Sequence, residues 1–167
     1  MKLARGILAM LVTPFHDDYR LNEAALRKEV QWAIASGAEG VVAAPSIGEF
    51  LHMDEAERTK VFEIVIEEAS KHPNISTVAM TSGATTLETI RYAKIAARLG
   101  YSAQQVIPPY YWRCGEAEVE RHYRMVAESG DLPVVIYHNP ALSKFNITPR
   151  FAGKLATIEG VSRSRKC

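Results

Sequence analysis

The stretch ILAMLVTPFHDD, residues 7–18, decides between two folds. Ile7–Val12 are six apolar residues with no polar alternation, which is how a strand buried on both faces reads. Thr13 and Pro14 end the run. A doubly wound dinucleotide binder would continue with G-x-G-x-x-G after its first strand, and LVTPFHDD stands there instead. That weakens the Rossmann reading and leaves other open sheets and the closed (β/α)8 barrel.

The same unit then repeats. Further short apolar runs lie at Gly40–Ala44, Ile75–Met80, Ala103–Ile107, Pro133–Tyr137 and Ile158–Val161. Between them the sequence predicts helices over 22–36, 54–71, 85–99, 115–129 and 148–156. Asp54 with Glu57 and Thr85 with Glu88 have capping-box spacing, in which the cap side chain accepts a backbone N–H and the acid bonds back. Thr148-Pro149 suits a cap and first helical residue. Gly37 and Gly100 suit helix stops, since glycine takes the left-handed conformation freely. Strands alternating with helices about every 30 residues indicate parallel βα units in an α/β protein.

The chain of 167 residues is 47% hydrophobic and 23% charged, which is globular composition. A net charge of +1 carries no nucleic-acid or membrane bias, so a small molecule is the expected partner. Two cysteines, Cys114 and Cys167, and no signal peptide point to a disulfide-free cytoplasmic protein. No stretch is long enough to cross a bilayer.

Ligands of parallel α/β folds bind at the carboxyl ends of the strands. Those positions hold Thr13, the turn Ser46-Ile47-Gly48-Glu49, Thr81 and Ser82, PPYYW at 108–112, and YHNP at 137–140. The turn at Ser46 reads either as a backbone N–H site for a carboxylate or as an ordinary strand-to-helix turn. Tyr110 and Tyr111 suit packing; Tyr137 suits proton transfer at a strand end. His138 and Asn139 read as ligands or turn formers, without the further His or carboxylate that a metal site needs. Nothing marks Cys114 as an activated thiolate.

In order, ILAMLVTPFHDDYRLN, PSIGEF, PPYYW, LPVVIYHNP and IEGV resemble the motifs of the dihydrodipicolinate synthase and N-acetylneuraminate lyase family over residues 3–161. The resemblance implies a (β/α)8 TIM barrel, here an incomplete one of about five βα units plus the start of strand six. It implies a partial barrel domain over 1–161 and a divergent basic tail at 162–167. It also implies Schiff-base aldolase or lyase chemistry on a pyruvate-like 2-oxo acid, with no cofactor or metal, and a homo-oligomer as in the relatives. In that chemistry a lysine amine condenses with the ketone and the iminium serves as electron sink. The position of Tyr137 shuttles the proton, Ser46 links that phenol to a second tyrosine from a neighbouring subunit, matched by Tyr111, and Ser46, Ile47 and Gly48 receive the carboxylate.

Departures qualify the assignment. Pro45 and Ile47 replace a glycine and a hydroxyl residue of the usual turn, leaving carboxylate recognition more to the backbone. Leu142 stands where the synthase branch carries an arginine, so the sequence fits the members that cleave or dehydrate sugar-derived 2-oxo acids. Ser162 stands where the Schiff-base lysine belongs, and Lys166 is the nearest amine. The expectation is a chain truncated or frameshifted before its nucleophile and inactive alone; the alternative is a non-catalytic fragment that binds a 2-oxo acid or pairs with another chain.

Overall fold

Side-chain caps decide where the helices begin. In the computed structural model, which describes residues 6–129 and 132–161, Asn22 caps α1 (Glu23–Ala35) by accepting from Ala25 N–H. Asp54 and Glu57 close the expected capping box on α2 (Glu55–Ala69). At α3 (Thr86–Leu99) the expected box forms only by half. Thr85 Oγ1 accepts from Glu88 N–H at 3.1 Å, but the Glu88 carboxylate turns to the Ala84 N–H at 2.8 Å. Gly115 precedes α4 (Glu116–Ser129), its N–H bonded to Glu118. A short helix α5 (Pro140–Ser143), which periodicity could not reveal at four residues, is capped by Asn139. Thr148 caps α6 (Pro149–Leu155), with Pro149 in the first turn. Gly37 and Gly100 take φ of +93° and +90° at the helix stops.

The strands are β1 (Leu8–Met10), β2 (Gly40–Ala43), β3 (Ser76–Met80), β4 (Ala103–Val106) and β5 (Val134–Ile136), each within its apolar run. Contacts divide the chain into two compact units: the described residues up to Met80 with Arg98–Ser102, and Thr81–Ala97 with those from Ala103 onward. In the first, β1, β2 and β3 pair in parallel and in sequence order, Leu8 opposite Gly40 and Gly40 opposite Ser76. In the second, β4 pairs in parallel with β5, Gln104 opposite Val134. Neither order contains the reversal that marks the switch point of an open doubly wound sheet. Every residue of β2 and β4 is buried, as strands covered on both faces require.

In the first unit, Leu26, Val30, Phe62 and Val65 of α1 and α2 are fully buried. Glu68, 3% exposed, ties the two helices, accepting from Lys71 Nζ at 2.7 Å, Arg27 at 2.8 Å and Gln31 at 2.9 Å. In the second, Val106, Val119, Tyr123, Val134, Phe151 and Leu155 form one cluster, and the Tyr123 hydroxyl donates to Val106 O at 2.8 Å.

One expected element is much shorter than its run. Ile158–Val161 is not a strand: Ile158 N–H donates back to Leu155 O and Val161 N–H to Ile158 O, with Gly160 at φ +83°. These local turns delay the pairing, which begins only at the end of the run: Gly160 O accepts from Val134 N–H at 2.8 Å and Val161 forms a parallel bridge to Val134, the start of the sixth strand. Ser162, Lys166 and the rest of the basic tail at 162–167 lie outside the described residues, as does Lys2.

Candidate active site at the strand ends

After β2 the backbone makes an unusual turn. Ala44 has φ +48° and Glu49 φ +61°, two left-handed residues flanking a single 3-10 turn over Ser46–Gly48. Such conformations cost free energy for residues with a Cβ and persist where the surroundings hold them. Here Gly48 supplies the hold. A Cβ on it would lie 2.7 Å from Leu11 O and 2.8 Å from Pro45 Cδ, and its carbonyl accepts from Thr13 Oγ1 at 2.7 Å. The N–H groups of Gly48 and Glu49 bond within the turn, to Pro45 O and Ser46 O. No acceptor holds the N–H of Ser46 or Ile47 among the described residues. The Ser46 hydroxyl is buried without a hydrogen-bond partner, and the Ile47 side chain is 60% exposed. The result is a cradle of unused donors, which suits an anion.

The second unit holds Tyr137 just past β5. Its N–H continues the ladder to Val106 O at 2.8 Å, and its half-buried phenol oxygen accepts from Asn139 Nδ2 at 3.2 Å. The other end of Asn139 caps α5 through Leu142 N–H at 3.2 Å. Asn139 is thus a turn former that also fixes the phenol, whereas His138 is exposed. The phenol proton has no acceptor among the described residues. Tyr111 is 66% exposed and stands edge-to-face with Trp112, ring centroids 5.0 Å apart. No hydrogen bond joins Tyr111 to Tyr137. Cys114 has its thiol pushed up by burial and by Glu118, the opposite of activation.

Two expected rim hydroxyls serve packing instead. Thr81 Oγ1 donates to Gln104 Oε1 at 2.8 Å, and Ser82 Oγ accepts from Ile107 N–H at 2.9 Å, both residues fully buried. Sequence reasoning missed two polar groups of this unit. Gln105 is 8% exposed with Oε1 unpartnered. His122, on α4, shares Nδ1 with Thr86 Oγ1 at 3.0 Å and leaves Nε2 unpartnered, and burial lowers its pKa to about 4. The signal for the first was visible: AQQVI at 103–107 puts two amides in a strand otherwise apolar.

No described helix is long and apolar enough to cross a membrane. Among curated proteins the chain is 36% identical over 162 residues to an N-acetylneuraminate lyase of Salmonella typhimurium, covering 96% of this chain and 54% of that protein. It is 33% identical over 159 residues to a 4-hydroxy-tetrahydrodipicolinate synthase of Methylococcus capsulatus, covering 95% and 54%. Among solved structures it matches a chloride-inhibited dihydrodipicolinate synthase of Acinetobacter baumannii, complexed with pyruvate, with a TM-score of 0.91 and 30% identity over 95% of this chain and 54% of that one. The chain spans about half the length of the curated relatives it matches. The fold is that of a TIM barrel of this family, present as an incomplete barrel. The profile of the Dihydrodipicolinate synthetase family matches residues 3–166, five residues past Val161, and the chain belongs to that family.

Proposed function

We propose that this chain carries the substrate-binding half of a Schiff-base lyase or aldolase acting on pyruvate-like or sugar-derived 2-oxo acids. The observation that carries the reading is the turn after β2, where a buried, unpartnered Ser46 hydroxyl accompanies the unused N–H groups of Ser46 and Ile47. A carboxylate accepting those donors completes them, and charge-assisted hydrogen bonds of this kind are stronger than neutral ones. Tyr137, steadied by Asn139, is the proton carrier; Tyr111, exposed on its loop, is the phenol offered to a second copy.

Chemistry needs an amine, and the family resemblance puts Ser162 at the place of that lysine. A hydroxyl cannot form an iminium, so the chain alone binds a 2-oxo acid without turning it over. Incubation with pyruvate and borohydride leaves the mass unchanged on this account. A stable adduct on Lys166 or another lysine would overturn the claim of inactivity.

A second reading has its own support. On β1, Met10 is 41% exposed, and its flanking Ile7 and Val12 are 72% and 46% exposed, so an apolar edge strand faces solvent among the described residues. Such edges pair with other chains. If pairing is the function, purified chain forms a well-packed complex of defined size; a monomer at all concentrations tells against it.

A further inference from the structure

Arg58, one turn into α2, is the largest side chain fully buried among the described residues. Taking a guanidinium out of water is expensive, and a well-packed apolar side chain of similar volume often serves stability as well or better. The position calls for a further use.

Its contacts lead to the turn after β2. Nη2 donates to Met80 O at the end of β3, and Cζ stands 4.9 Å from the centre of the Phe50 ring and 5.7 Å from that of Phe62. Phe62 is the fixed side of this stack. It is fully buried, meets Tyr101 edge to face with ring centroids 5.6 Å apart, and its carbonyl accepts from the Tyr101 hydroxyl at 2.8 Å. Phe50 is the other side. Only 3% exposed, it directly follows Glu49, the left-handed residue that closes the turn over Ser46–Gly48. All of these residues belong to the first unit.

The turn therefore has two anchors. Thr13 Oγ1 holds Gly48 O, and the guanidinium, tied to Met80 O, attracts the ring of Phe50. Left-handed residues with a Cβ persist where the surroundings over-determine them, and Ala44 and Glu49 are such residues. A planar guanidinium stacks on a ring and donates from its edge at the same time, whereas a lysine ammonium is a point charge on a flexible stem.

We infer that Arg58 is a positioning residue: it clamps Phe50 and so keeps the Ser46 and Ile47 N–H groups in the arrangement that receives a carboxylate. The inference rests on the 2-oxo acid reading of that turn and deepens it.

The test follows pyruvate binding to the whole chain by NMR titration, with melting curves recorded on the same samples. The wild-type chain binds, and Arg58→Met and Phe50→Leu each bind about tenfold more weakly, as the loss of one well-aligned hydrogen bond to a charged group implies. Both keep a cooperative melt. In the double variant the loss is no greater than in either single one, because the two side chains act as one unit. Arg58→Lys shows the same loss, since it keeps a cation but not the planar face. Wild-type affinity in Arg58→Lys would make the residue a charge for the ligand instead of a clamp. Wild-type affinity in Arg58→Met or Phe50→Leu, at whatever melting temperature, or additive losses in the double variant, would make its role structural. Loss of the cooperative melt in all three single variants would make the stack a requirement of the whole fold. Each of these results overturns the inference and leaves pyruvate binding by the wild-type chain standing. Failure of the wild-type chain to bind pyruvate overturns the 2-oxo acid reading, and the inference with it.

Discussion

Glu68 and the strand-end groups are buried polar atoms treated in opposite ways. Glu68, between α1 and α2, receives donors from three side chains within 2.9 Å, and those bonds, Lys71 first and then Gln31, hold its pKa down to about 2. Ser46 Oγ and Gln105 Oε1 receive nothing. A buried polar group is costly unless its bonds are made. Where they are made the group serves the fold, and where they are withheld beside a strand end the proposed 2-oxo acid site would use it. The same contrast separates Thr81, spent on Gln104, from Ser46, which occupies a comparable place after its strand.

Breaking the cradle is the most damaging way to test the contrast. Gly48→Ala drives a Cβ against Leu11 O and Pro45, so it costs about 3 kcal/mol in urea unfolding and abolishes pyruvate binding. His122 is the intermediate case, satisfied at Nδ1 only. With a folded pKa of about 4 against about 6.5 unfolded, the unfolded chain binds more protons between those values. Stability therefore falls as pH drops below about 6.5 and levels off below about 4, losing about 2 kcal/mol from pH 7 to pH 4.5. His122→Phe flattens that dependence in denaturant titrations at the two pH values.

Glu68→Gln removes the charge from a fully partnered site and costs about 1.5 kcal/mol by urea unfolding. The loss is below that of a deeply buried pair because Arg27 and Lys71 stay 33% and 56% exposed. Ser46→Ala sharpens the comparison at the small end. Its hydroxyl bonds nothing in the fold, so stability changes by less than about 0.5 kcal/mol while pyruvate affinity falls, both readable in one titration series.

The sequence made the architecture legible because apolar runs and caps are local signals. Asn22, Asp54, Thr148, Gly37 and Gly100 act at the ends where their chemistry placed them. Of Ile158–Val161 only the end pairs with β5, through Gly160 O and Val161, because Gly160 and the turn after α6 govern the residues before it. At the candidate site, Ser46 and Tyr137 stand after their strands as the sequence places them, whereas Gly48, expected among the carboxylate donors, spends its N–H on Pro45 O. The paired left-handed residues Ala44 and Glu49 were not legible, since neither is the glycine that marks such a turn. Nor could the sequence separate Gln104 from Gln105, because the difference lies in which face of β4 offers partners.

The central claim is that the turn after β2 receives a carboxylate. Titrating the isotope-labelled chain with pyruvate and following backbone amides tests it directly: the account predicts saturable shifts largest at Ser46 and Ile47. Saturable shifts elsewhere with those two amides unmoved, or none at all, would contradict it.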